Sequence, residues 1–194
     1  KEINPLIISF FYKNYKLKES KFSDKYVFYK KVGPLIGLVN KINRTYFRYR
    51  INTGKPDIIH QTYFNEEKFY STKAKLFITE YDLIKEKLYK KKFETQINFK
   101  KKLFQKSDHI ICISHNTKKD LQEEYSIDES KISVTHLAVN KHQNFREKKL
   151  NLRPFILYVG FRQRYKNFEN AIRAYASSRK IKSDFDFVCF GGGS

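Results

Sequence analysis

Two cations close together in one short segment are the first chemistry the sequence offers: Gly160-Phe161-Arg162-Gln163-Arg164-Tyr165-Lys166-Asn167. A fork-shaped guanidinium beside a compact ammonium suits a diphosphate. In a chain this rich in lysine, a solvated basic loop accounts for the same residues equally well. His60 and the pair Tyr81-Asp82 carry groups able to exchange protons or hold hydroxyls, set against the structural role that any single His or Asp fills by default. Ser114-His115 lacks the G-x-S-x-G turn that exposes a nucleophilic serine, so Ser114 reads as a helix cap and a hydrolase is excluded. His109, His136 and His142 show no ligand spacing with cysteines or carboxylates, and no metal site is expected. Gly191-Gly192-Gly193 would let backbone approach a ligand, or would serve equally as a flexible linker.

The elements that must carry these groups alternate. Leu35, Leu38, Val39, Ile42, Tyr46 and Tyr49 recur at helical spacing until Gly54 and Pro56 stop the pattern. Short strands follow at Asp57–His60 and Lys75–Thr79, and a long helical pattern then puts Phe93, Ile97 and Phe104 on one face. The unbroken apolar run His109–Ile113 reads as a strand buried on both faces, with a helix from Thr117 to Tyr125 and a returning strand at Ile132–Val134. The polar stretch 140–153 reads as a linker between an N-terminal domain, 1–139, and the start of a second, 154–194. Phe155–Val159, a helix over Asn167–Lys180 and Asp186–Phe190 then repeat the strand–helix–strand order. Only Ile3–Tyr29 resists a clear period and reads as mixed short elements. Parallel strands need crossover helices, so the class is α/β, and in such sheets ligands sit beyond the carboxyl ends of the strands. His60, Tyr81-Asp82, Ser114, Gly160 with Arg162 and Lys166, and the glycine triplet all follow strand ends.

Composition limits the alternatives. Forty Lys+Arg against 20 Asp+Glu leave +20, while 40% hydrophobic and 16% aromatic residues demand a packed core. The excess favours anionic partners without naming them. No apolar run approaches the roughly 18 residues of a membrane span, Lys1-Glu2 opens no secretory signal, and two unpaired cysteines fit a reducing cytoplasm. With no methionine anywhere, the chain reads as an internal fragment. The lysines from Lys85 through Lys87, Lys90, Lys91 and Lys92 to Lys100, Lys101, Lys102 and Lys106 read as a solvated helix face. Interleaved with Leu88, Phe93, Phe99 and Phe104, the same face would also suit the surface of an anionic membrane.

Four stretches together resemble the GT-B retaining glycosyltransferases of the family-four type. Pro56–Phe64 and Phe77–Ile84 resemble strands and loops of the acceptor-side domain. Ser107–Leu121 is similar to the group's AD-x-I-x-x-x-S-x-x-(S/T)-x-x-D-L segment, and Ile156–Phe168 looks like the opening of the donor domain. The resemblance implies Rossmann-like, doubly wound parallel sheets, present here as most of the first domain and the first βαβ unit of the second. It implies transfer of a hexose from a nucleotide-sugar to a glycan or lipid-linked acceptor in polysaccharide assembly. The enzyme would be cytoplasmic and would use no metal or other cofactor, and a fragment alone would be inactive. It assigns Gly160, Arg162 and Lys166 to the donor diphosphate and places His60, Tyr81, Asp82 and Ser114 near acceptor or sugar. Tyr81 stands where many members have histidine, so no catalytic imidazole transfers to that position. The donor-domain Glu-x7-Glu pair falls outside the chain; Glu86 and Glu94 share that spacing in the wrong half and receive no role. The alternative, a basic nucleic-acid-binding protein, rests on charge and aromatics, yet no RNP, KH or helix-turn-helix pattern accompanies them.

Overall fold

A computed structural model describes residues 11–12, 27–28, 33–64, 73–138, 153–162 and 164–191. The chain divides into two compact units, Lys1–Leu137 and Ala138–Ser194. In the first, β1 (Phe11–Tyr12) pairs in parallel with β2 (Val27–Phe28); the rest of the irregular N-terminal stretch lies outside the described residues. Helix α1 (Ile36–Gly54) buries Val39 and Ile51 but leaves Leu38 and Tyr49 exposed. It ends at Gly54, where Lys55 takes the left-handed terminal position and returns its N–H to the Ile51 carbonyl.

The main sheet follows in the order β3 (Ile58–Gln61), β4 (Lys75–Glu80), β5 (His109–Cys112), β6 (Ile132–Val134), every pair parallel. Between β4 and β5 the single long helix expected from the sequence is broken into α2 (Ile84–Leu88), a 3-10 turn over Lys90–Phe93 and α3 (Glu94–Lys106). Helix α4 (His115–Tyr125) joins β5 to β6.

Because side chains alternate along a strand, Ile78, Ile110, Cys112 and Ile132 share one face, and Leu103, Phe104, Leu121 and Tyr125 from α3 and α4 pack on it as one core cluster. The Phe104 and Tyr125 rings meet edge to face at 5.2 Å. The opposite face is only half covered among the described residues, which corrects the expectation of burial on both sides for β5. Its residues explain why: His109 bonds the Ser133 hydroxyl at 2.9 Å and stacks against Phe77.

In the second unit β7 (Phe155–Val159) pairs in parallel with β8 (Asp186–Phe190). The expected single helix between them is two: α5 (Phe168–Ser177) and α6 (Arg179–Asp184), the break capped by the Ser178 hydroxyl on the Ile181 N–H. The α/β class with parallel strands is therefore what the chain adopts.

Candidate functional site

Glu80, the last residue of β4, lies two positions after Ile78 and so points into the core face. A carboxylate there needs a cation. Lys100 supplies it from the buried stripe of α3, three residues after Ile97 and three and four before Leu103 and Phe104. Its Nζ donates to Glu80 Oε1 and to Glu86 Oε1, each at 2.9 Å, and reaches the Asp82 carbonyl at 3.5 Å. Tyr125 donates its hydroxyl to the same Glu86 oxygen at 2.7 Å. Side-chain exposures of 10% for Lys100, 6% for Glu80 and 2% for Glu86 make this a buried carboxylate–ammonium–carboxylate triad. One ammonium thus ties together the end of β4, the loop after it and the middle of α2.

Burial pushes the Glu80 carboxyl up to about 7, against the opposing pull of Lys100. Desolvation works to lower the Lys100 ammonium, but the two carboxylates outweigh it and hold it above its ordinary value. Burial, then the bond to Glu86, raises the Tyr125 phenol. Glu86 Oε2 is buried and has no hydrogen-bond partner among the described residues.

Above the triad lies a cavity of ≈ 110 Å³, lined by Glu80, Glu86 and Lys100 together with Tyr63, Tyr81, Asp82 and Lys85, among others. The Tyr63 and Tyr81 rings are 5.8 Å apart and tilted by 51°. Asp82 turns its carboxylate back to the Ile84 N–H at 3.2 Å, at the start of α2.

The residues singled out from the sequence do not all meet here. Tyr81 and Asp82 line the cavity. His60 does not: it projects from the other face of the sheet, with Nε2 2.8 Å from the Thr79 hydroxyl. Ser114 caps α4, accepting from the Thr117 N–H at 3.1 Å. The Thr117 hydroxyl donates to the Tyr81 carbonyl at 3.0 Å, so its bond to Ser114 at 2.9 Å uses the serine's proton. Ser114 thereby steadies the Tyr81 loop. Among the described residues no group of three His, Cys, Asp or Glu side chains is arranged to hold a metal.

The basic run is corrected by the packing. Lys100 is no part of a solvated face. Lys87 pairs with Asp120, Lys90 with Glu124 at 3.4 Å, and Lys85 bonds Gln96 at 2.8 Å. Lys85, Lys87 and Lys90, like Lys91, Lys92, Lys101, Lys102 and Lys106, stay exposed, so Lys100 is the one residue of the run that the solvated-face reading misplaces. Glu86, given no role from the sequence, is the triad's most buried member. The signal that would have found both was the apolar stripe of α3, on which a lysine demands a buried acid.

In the second unit, β7 ends at Gly160, whose φ of +140° favours glycine and whose N–H bonds the Phe190 carbonyl at 2.9 Å. Gly191, at φ +106°, lies so close that a Cβ there would stand 2.9 Å from the Gly160 carbonyl oxygen. Gly192 and Gly193 lie outside the described residues. The Tyr158 hydroxyl donates to the Phe161 carbonyl at 2.7 Å and folds the following loop back on the strand. Arg162 stands over the Phe168 ring at 5.8 Å and Lys166 over the Tyr165 ring at 5.2 Å, both exposed. Asn167 leads into α5 without a side-chain cap.

A family model described as Glycosyltransferase Family 4 matches residues 16–143 of this 194-residue chain. A crystal structure of a glycosyltransferase from Rickettsia africae ESF-5 is similar at 18% identity with a TM-score of 0.44, over 93% of this chain and 57% of that one. The chain thus spans little more than half of that protein's length. No curated protein matches it in sequence.

Proposed function

Because the chain belongs to Glycosyltransferase Family 4, we propose that it takes part in moving a hexose from a nucleotide-sugar to a glycan or lipid-linked acceptor, with retained configuration. In this reading the second unit receives the donor. Gly160, Arg162 and Lys166 stand in one short loop between the end of β7 and the uncapped start of α5, where free N–H groups, the helix dipole and two exposed cations can neutralise a departing diphosphate without a metal. The observation that carries the assignment is the Tyr158 hydroxyl bond to Phe161, which holds that loop folded.

The first unit receives the acceptor, with Tyr81 and Asp82 in contact with it and Ser114 acting through the Tyr81 carbonyl. His60 would meet it only from the other face of the sheet. No helix among the described residues is long and apolar enough to cross a membrane. The exposed lysines of the α2–α3 region are the cations left to meet an anionic membrane surface around a lipid-linked acceptor, and cytoplasmic placement accords with the two free cysteines.

The test is calorimetric titration of UDP and GDP into the protein and its Arg162→Ala and Lys166→Ala variants. Each substitution is expected to weaken binding of the accepted nucleotide about tenfold or more, as loss of a charge-assisted hydrogen bond does. Unaltered affinity in both variants refutes the donor assignment.

A further inference from the structure

Helix α1 carries apolar residues on the side it turns away from the protein. At 3.6 residues per turn, its two buried residues, Val39 and Ile51, mark the inward side, and Leu38, Thr45 and Tyr49 lie roughly opposite. Leu38 is 55% and Tyr49 62% exposed. With Lys41, Ile42 and Tyr46 these three line an open trough of ≈ 550 Å³ to which, among the described residues, only α1 contributes. Leu35 and Ile36 extend the exposed apolar surface at the start of the helix. A contiguous apolar patch left in water marks a contact surface. The charge of the same helix says of what kind. It holds Lys41, Arg44, Arg48 and Arg50 and no acid, and no Asp or Glu occurs anywhere between Asp24 and Asp57. Lys41 borders the trough, and at its other flank the Arg50 guanidinium donates to the Tyr46 hydroxyl at 2.9 Å. Aliphatic side chains flanked by cations, with tyrosines between them, match the boundary of an anionic bilayer: acyl chains, then the level at which amphipathic rings rest, then phosphates. RNA would use the cations and the rings but leave Leu35, Ile36, Leu38 and Ile42 in water. The α2–α3 surface differs. Its lysines offer charge, but among the described residues Leu88 is its one exposed large apolar side chain, and Lys87 and Lys90 are already paired with acids.

We infer that α1 docks unit 1 on an anionic lipid surface, lying in the headgroup plane with Leu38, Ile42 and Tyr49 against the acyl boundary and Lys41 on lipid phosphates. Since no described helix is long and apolar enough to cross a membrane, the contact runs along the surface. The lysines of α2–α3 add charge attraction but have no comparable apolar stripe to insert. The inference goes beyond the transfer reading and does not rest on it, because neither the donor loop nor the Tyr81–Asp82 loop enters the argument.

A chain of net charge +20 adsorbs to any anionic vesicle, so the test must read α1 itself. The sequence has no tryptophan, and Tyr49→Trp and, separately, Leu88→Trp each give a single fluorescent reporter at an exposed position. The vesicles contain phosphatidylglycerol and phosphatidylcholine in equal parts. On binding them, the Tyr49→Trp emission is expected to shift to the blue and to be quenched by lipids brominated on their acyl chains, and that of Leu88→Trp to do neither. Leu38→Gln combined with Tyr49→Gln keeps charge and helix propensity, and is expected to weaken vesicle binding about tenfold while leaving the far-UV circular dichroism of the free chain unchanged. An unshifted Tyr49→Trp emission in the vesicle-bound chain overturns the inference, since adsorption is then by charge alone. Quenching of Leu88→Trp to the same extent or more overturns it too, as does a double Gln variant that binds as tightly as the parent. If RNA shifts the Tyr49→Trp emission and brominated lipid does not quench it, the face is a nucleic-acid surface and the inference falls. If neither UDP nor GDP binds while Tyr49→Trp is quenched, the docking surface stands and the donor assignment fails; the reverse pair of results keeps the donor assignment and removes the docking surface.

Discussion

Replacing Lys100 with methionine removes the one cation between two carboxylates that are 6% and 2% exposed, and both lost ion pairs are 2.9 Å long. Removing one partner of a buried ion pair leaves an uncompensated charge and commonly costs about 3–5 kcal/mol. Protonation can relieve it here, and the sign of the pH dependence follows. In the parent chain Glu80 titrates near 7 when folded against 4.5 ordinarily, so between those values the folded state holds more protons than the unfolded one. Stability therefore falls as pH rises through that window and levels above it. Without Lys100 nothing pulls the Glu80 carboxyl down, and the fall continues past neutrality. The expected loss is about 3–5 kcal/mol at pH 8 and clearly smaller at pH 5. Spread over unit 1, Lys1–Leu137, with about 2.1 cal/mol/K of unfolding entropy per residue, that is a drop in Tm of roughly 10–17 °C at pH 8. The chain has no tryptophan, so far-UV circular dichroism under heat and urea is the assay. Lys101→Met, one residue along on the exposed side, is the control, expected to change stability by no more than about 0.5 kcal/mol. Equal effects of the two substitutions, or a Lys100→Met loss no greater at pH 8 than at pH 5, refute the buried triad.

Ser114→Ala removes the α4 cap and should cost about 1 kcal/mol in urea unfolding; an unchanged midpoint means that the serine does not cap. Gly191→Ala forces a Cβ to within 2.9 Å of the Gly160 carbonyl at a φ of +106°, with an expected cost of roughly 1–3 kcal/mol in unit 2, and a variant as stable as the parent contradicts the glycine contact at the ends of β7 and β8. Burial, then the charge of Glu80, pushes the Cys112 thiol up to about 12, so iodoacetamide at pH 8 should leave it unlabelled until urea unfolds the chain. Rapid native labelling in peptide mass spectra argues against that burial.

The strands were legible because their signals are local. The runs at Lys75, His109, Ile132, Phe155 and Asp186 are bounded by turn or cap residues and match β4 to β8 to within a residue at either end. Ser114 was readable as a cap for the same reason: its partner, Thr117, lies three residues away. The breaks were not legible. Nothing between Asp82 and Lys106 interrupts helical spacing, yet the chain stops α2 at Leu88 and restarts α3 at Glu94, with a 3-10 turn between that places Phe93 beside Tyr89 and Lys85. Tertiary contact, not propensity, decides such a point.

The triad shows why a site can be hidden in plain composition. Taken singly, Lys100 is one of many lysines on a helix, Glu80 a polar residue where a strand ends, and Glu86 half of a coincidental spacing. Each would be unstable in the core alone, since an unpaired buried charge is driven to neutralise or to leave. They become tolerable only together, and the sequence distances among them are set by the β4–α2–α3 crossover rather than by any helical or strand period. Reading them therefore required asking of each buried-face position what a charge there could pair with. That question singles out Lys100 on the α3 stripe, then Glu80 on the core face of β4, and only last Glu86. Among the described residues it also leaves one buried oxygen of Glu86 without a hydrogen-bond partner, a cost the triad carries.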